Sequence, residues 1–225
     1  MTNATLSAEG PNPVPQRTAV AVQFDDAAQQ RDADTLGMWL FLATEVLFFG
    51  VLFLSYSVAR AHFPDAFAAA SRHTNLLLGG TNTAVLLTSS FTMALAVRAA
   101  GTQAVRSARR LLLLTAALGA VFCAIKLTEY ALDYRGHLVP LLDFAFDVDL
   151  RQGALVFFLL YFATTGLHLV HLTIGIAIVL VLAWRTGRGA GPRHAERVEV
   201  AGLYWHFVDL VWIFLYPCLY LVARA

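Results

Sequence analysis

Charged side chains are scarce in this chain: Asp, Glu, Lys and Arg together make up 14% of 225 residues, against about 25% in a soluble globular domain. The two signs nearly cancel, at a formal net charge of +1. With no long-range field and no basic stripe, nucleic acid is excluded as a partner. Cysteine is rarer still, with two in the whole chain, and that excludes a disulfide scaffold. Cys123 and Cys218 read instead as small hydrophobes. Also missing are a Gly-rich phosphate loop, a G-x-S-x-G turn, a C-x-x-C-H haem motif and an H-E-x-x-H zinc motif. The halves of the chain do not resemble each other as inverted transporter repeats do. Apolar residues are what remains, at 58%, with a mean hydropathy of +0.64. So much apolar surface excludes disorder and exceeds what one soluble core needs. The solvent it implies is lipid.

A helix needs roughly 20 apolar residues to cross a hydrocarbon core of about 30 Å. Five segments qualify, at about 36–59, 75–97, 111–132, 153–184 and 200–222. The alternation of a barrel strand is missing, so the fold class is all-α, a polytopic membrane protein built as a bundle of five transmembrane helices. Residues 1–34 hold Pro11, Pro13, Pro15 and five acids. They lack the apolar run of a signal peptide and are expected to form a mobile N-terminal tail. Residues 35–225 make the membrane domain. With five spans, the tail and the second–third and fourth–fifth loops share one side and carry ten arginines, and the other side carries five. The positive-inside rule then sets the N-terminus in the cytoplasm and the C-terminus outside.

Four formally charged residues lie within the spans: Glu45, Lys126, Glu129 and Asp209. Each costs at least about 2.5–3.5 kcal/mol at a helix centre, so each needs a partner, a cavity or an interface. Glu45 falls near the midplane among apolar neighbours. It reads either as a neutral acid tied to another helix or as a proton or ligand-access site. Lys126 and Glu129, at i and i+3, read as a local pair near the interface, where snorkelling lowers the cost. Thr164, His168, His171 and Gly175 form one stripe on the fourth span. The fifth carries Trp205, His206, Asp209, Trp212 and Tyr216. Depth matching predicts a His–Asp cluster joining these two helices, made of His168, His171, His206 and Asp209. No metal is expected there, since a closed site needs further ligands at that depth. The second span, with Asn82, Ser89 and several Gly, Ser and Thr residues, reads as a helix-contact surface.

These residues sit in recognisable strings. Gly37-Met38-Trp39-Leu40-Phe41-Leu42-Ala43-Thr44-Glu45-Val46-Leu47-Phe48-Phe49 resembles the first helix motif of subunit III of haem–copper oxidases. Asn82-Thr83-Ala84-Val85-Leu86-Leu87-Thr88-Ser89-Ser90, Glu129-Tyr130, Thr165-Gly166-Leu167-His168-Leu169-Val170-His171 and Tyr204-Trp205-His206-Phe207-Val208-Asp209-Leu210-Val211-Trp212 resemble four further motifs of that family, in order. The match covers about four-fifths of the chain, from about Leu36 to Leu221, and is similar to the five-helix bacterial form of cytochrome c oxidase subunit 3, without the first pair of the seven-helix form.

The resemblance implies a subunit with no catalytic residues and no cofactor of its own, in a complex that couples O2 reduction in aerobic respiration to proton pumping. Haem and copper would lie in the partner subunits, with subunit I the main contact, subunit II a second partner, and phospholipid bound. The complex would sit in the bacterial inner membrane. Glu45 corresponds to the family's intramembrane glutamate, a lipid-cleft or oxygen-access candidate. His168, His171, His206, Asp209, Glu129 and Lys126 are expected to be structural, and Asn82, Ser89 and Gly166 to serve helix contact. The same fold also suits subunit III of a quinol oxidase or the accessory protein of a nitric oxide reductase. An independent transporter is a remote alternative.

Overall fold

The structure is a computed structural model that describes residues 24–222 apart from 141, 143, 190 and 192. Six helices follow one another: α1 (Ala27–His62), α2 (Pro64–Ser71), α3 (Leu76–Gly101), α4 (Val105–Arg135), α5 (Arg151–Gly187) and α6 (His194–Tyr220). All but α2 are long and apolar enough to cross a membrane. The first part of the expected tail, residues 1–23, lies outside the described residues.

The helices outrun the apolar spans that announce them. α1 starts at Ala27, so residues 27–34 are helical rather than tail. The start is set by Asp26, whose side chain accepts the Gln29 N–H at 2.7 Å, a standard N-cap contact. At about 1.5 Å per residue, α1 and α5, with 36 and 37 residues, run to roughly 55 Å each. A bilayer core is about 30 Å thick, so both project into water. Hydropathy marks where lipid begins, and capping marks where the helix does.

α2 has no counterpart among the expected spans. Pro64 at its first position and Asp65 in its first turn start it, and its Ala66, Phe67 and Ala70 are buried. It lies against the start of α5. A Cβ on Gly153 would come within 2.5 Å of the Ala66 Cβ, so only glycine allows that approach.

α3, α4, α5 and α6 make up a four-helix core. The core-facing stripe of α3 is Gly79, Asn82, Leu86, Ser89, Met93, Ala96 and Ala100, at the three- and four-residue spacing of one helix face. Its small members let α6 come close: a Cβ on Gly79 would sit 2.8 Å from the Tyr220 ring. Hydrogen bonds cross the same seam, from Trp205 Nε1 to Ser89 Oγ at 2.9 Å and from Trp212 Nε1 to Thr83 Oγ1 at 3.0 Å. Between α3 and α4, the Thr92 and Thr115 hydroxyls pair at 2.8 Å. The second span thus makes close contacts with both α4 and α6.

α1 stands at the edge and packs mainly against α5 and α6, with a smaller contact to α2. Leu36, Leu40, Leu47, Val51 and Leu54 are all more than 60% exposed, the pattern of a lipid-facing helix. It is tied in by the Tyr56 hydroxyl, which donates to the Cys218 carbonyl, and at the other end by Arg193, which donates to Asp34.

Candidate functional site

α1 presents Glu45 to α5, where His171 Nε2 lies 3.0 Å from Glu45 Oε2. The other ring nitrogen, Nδ1, lies 2.8 Å from the Leu167 carbonyl. A carbonyl only accepts, so Nδ1 carries a hydrogen. One proton then remains between Nε2 and the carboxyl. Whether it rests on carboxyl or imidazole, the pair has no net charge, which lowers the cost of placing it within a bilayer. Phe49 stacks edge-on to the His171 ring at 5.3 Å, and the Tyr204 hydroxyl donates to the His171 carbonyl at 2.9 Å. The arrangement can hold or pass one proton.

The pair lies in the wall of a groove of about 760 Å³ between α1, α5 and α6. Apolar side chains such as Met38, Phe41, Ile174 and Ile178 line its length, and Asp34, Glu196 and Arg197 line its charged end. On the other flank of α1, a second groove of about 800 Å³ runs along Trp39, Val46, Leu203 and Leu210, with His206 in its lining. The edge position of α1 creates both.

The expected His–Asp cluster does not form as one unit. His171 turns to Glu45. His206 Nδ1 lies 2.7 Å from Ser90 Oγ. Ser90 also neighbours Asp209, yet neither Asp209 oxygen has a hydrogen-bond partner among the described residues. His168 is fully buried, with both ring nitrogens unpartnered among the described residues, held between the rings of Phe122 and Trp212 at 5.5 and 5.3 Å. Matched depth along two helices does not fix the direction in which their side chains point. His168 and His171 share a stripe but lie about 60° apart around α5, since three residues at about 100° each fall that far short of a full turn, and that is enough to aim them at different helices.

Lys126 and Glu129 do pair, at 2.9 Å, but not by snorkelling. Their side chains are 0% and 1% exposed. Tyr161 and Tyr220 close around the ammonium at 2.8 and 2.7 Å, and the rings of Tyr130, Tyr161, Trp212 and Tyr220 stand 4.3–5.7 Å from it. A further buried carboxyl, Asp133, joins them through Tyr161. It falls just past the apolar span ending at Leu132, so hydropathy alone left it in the loop. Its spacing of four from Glu129 was the available signal.

Among the helix-contact residues, Ser89 accepts from Trp205. Asn82 is fully buried, with both amide atoms unpartnered among the described residues. A Cβ on Gly166 would have only the Tyr130 hydroxyl near it, at 3.9 Å. Among the described residues, no group of three or more His, Cys, Asp or Glu side chains could hold a metal.

The fold and these sites define a class: a helical membrane subunit with five apolar helices long enough to span a bilayer and two ionisable pairs, Lys126–Glu129 and Glu45–His171, set between them. Residues 22–224 match the family described as cytochrome c oxidase subunit III. Cytochrome c oxidase subunit 3 of Thermostichus vulcanus is 34% identical over 212 residues, covering 93% of this chain and 96% of that protein. Quinol oxidase subunit 3 of Bacillus spizizenii is 31% identical over 194 residues, covering 84% and 86%. Cytochrome c oxidase subunit 3 of Corynebacterium diphtheriae is 32% identical over 208 residues, covering 88% and 96%. The chain belongs to the cytochrome c oxidase subunit III family, the non-catalytic third subunits of haem–copper oxidases.

Proposed function

We propose that this subunit sustains turnover of a proton-pumping cytochrome c oxidase in a bacterial inner membrane, holding a lipid-lined groove and a proton-bearing pair beside the catalytic subunits. Haem and copper lie in those partners. Subunit I is the main contact and subunit II a second. The observation that carries this reading is the Glu45–His171 contact in the wall of the groove. An uncharged pair that shares one proton suits the supply of protons or oxygen, and the apolar walls suit acyl chains. Asn82, Ser89 and Gly166 keep the helices in register, while His168, His206, Asp209, Lys126 and Glu129 serve the interior of the bundle.

The N-terminus is cytoplasmic and the C-terminus outside. Arg193 reaches Asp34 at the start of α1, and the Arg109 guanidinium lies against Gly187. These contacts support one arginine-rich end made of the start of α1, the α3–α4 turn and the α5–α6 loop, in line with the positive-inside rule.

A quinol oxidase is the second reading, favoured by relatives of that name in Bacillus spizizenii and Bacillus subtilis. Purification from native membrane tests both. Co-elution with a haem-bearing catalytic subunit is expected, and a lone active chain overturns the proposal. The donor that the purified complex oxidises, cytochrome c or quinol, separates the two readings. Within that complex, Glu45→Gln is expected to leave assembly and initial rate intact and to shorten activity during turnover. Wild-type inactivation kinetics would return Glu45 to packing.

A further inference from the structure

Lys126, Glu129 and Asp133 follow one another at spacings of three and four, all buried, on the inner face of α4. Lys126 Nζ donates to Glu129 Oε2 at 2.9 Å, Tyr161 Oη at 2.8 Å and Tyr220 Oη at 2.7 Å. An ammonium has three N–H groups and a neutral amine two, so a complete set of three acceptors holds this side chain as a cation. Each tyrosine accepts from Lys126 and passes its own hydrogen onward. Tyr220 donates to Glu129 Oε2 at 2.9 Å, and Tyr161 donates to Asp133 Oδ2 at 3.2 Å.

Glu129 therefore receives two hydrogen bonds on one oxygen and balances the charge of Lys126. Its other oxygen, Oε1, is buried with no hydrogen-bond partner among the described residues. Asp133 is a second carboxyl, 7% exposed, and among the described residues Lys126 is the one cation that acts on it. The ionisable groups that face it are Lys126, Glu129 and Tyr130 from its own helix, Tyr161 from α5 and Tyr220 from α6. Two carboxylates against one ammonium would leave an uncompensated negative charge in an apolar setting, which is strongly disfavoured. One further proton removes it.

We propose that Lys126, Glu129 and Asp133, with Tyr161 and Tyr220, form a proton-binding site that holds one exchangeable proton on Asp133 and opens at the α4–α5 loop. On release, the carboxyl O–H bond breaks, its electron pair stays on the carboxylate and the proton passes to water. The Tyr161 hydroxyl holds the carboxylate until the proton returns. Asp133 lies two residues before the end of α4 at Arg135, and Tyr134, Arg135 and Gly136, which follow it, are exposed. On the opposite side, the tyrosine pair and Trp212 shut the site off from the rest of the bundle. Glu129 Oε1 offers the proton a second acceptor. The site is separate from the Glu45–His171 pair and does not depend on which electron donor the complex uses.

Infrared difference spectra of the whole oxidase complex, taken between acid and alkaline buffer, test this directly. Wild type is expected to show a protonated-carboxyl band that moves in D2O and is lost in Asp133→Asn. Glu129→Gln leaves the Lys126 charge to Asp133, so the midpoint at which the band vanishes should fall by about one pH unit or more. Tyr161→Phe removes the hydrogen bond to the carboxylate, so the midpoint should rise. A band unchanged in Asp133→Asn overturns the proposal. If that variant fails to assemble, the other two decide: midpoints that shift in opposite directions support the site, and midpoints that stay put overturn it.

Discussion

His171 on α5 meets Glu45 on α1 at 3.0 Å across 126 residues of sequence, with its second nitrogen fixed by the Leu167 carbonyl. That contact is one of three polar attachments of an edge helix whose outward face is largely apolar. His171→Leu should leave Glu45 facing an apolar wall, at a cost of about 1–3 kcal/mol for the unpaired group. The expected outcome is a lower melting temperature of the subunit within its complex and faster proteolysis at the start of α1. An unchanged protease pattern would show that Tyr56 and Arg193 suffice to hold the helix.

Lys126→Met leaves Glu129 charged and buried without its cation, a change worth on the order of 3–5 kcal/mol. Replacing both, as Lys126→Met with Glu129→Leu, should cost less than either single change. Thermal denaturation of the three variants gives the comparison. A double variant that is worse than both singles would mean that the tyrosine hydroxyls, not the charges, dominate the cluster.

Asp209 is 3% exposed, and neither of its oxygens has a hydrogen-bond partner among the described residues. Asp209→Asn keeps the shape and cannot ionise, so no charge can be buried at that position. The melting temperature should therefore rise or hold. A marked fall would reveal a partner for the carboxylate in the assembled complex.

Ser89→Ala strips the acceptor from the buried Trp205 Nε1–H, and leaving that donor unsatisfied costs about 1–3 kcal/mol. Adding Trp205→Phe removes the donor as well, so the double variant should recover part of the loss in the same melting assay.

Gly153→Ala would push a methyl to within 2.5 Å of the Ala66 Cβ. Overpacking of this kind costs about 1–3 kcal/mol. The expected readout is exposure of α2 to protease with the four-helix core intact. Resistance equal to wild type would mean that α2 shifts without detaching.

The five crossings and the family were legible because both are written locally, in runs of apolar residues and in short ordered strings around Glu45, Asn82, His168 and Asp209. Less legible was how those side chains aim. A span shows that His168 and His171 lie at one depth, but only packed helices show that one faces Glu45 and the other the rings of Phe122 and Trp212. Tyr161 and Tyr220 escaped notice because an aromatic residue in an apolar run looks like core until its hydroxyl has a partner. α2 escaped because eight residues are too few to stand out by hydropathy. Asp133 was misplaced for a simpler reason: it sits one residue past the apolar span.

The edge position of α1 also bears on biogenesis. α1 leaves the ribosome first, and 125 residues separate Glu45 from His171. At about 5–20 residues per second, the carboxyl waits roughly 6–25 s for its partner. During that interval it stands in the membrane without the imidazole, so a neutral carboxyl, or a helper that shields it, is needed for insertion. Cross-linking from position 45 in arrested chains of increasing length would read out when the wait ends, and the contact should appear only once α5 has emerged.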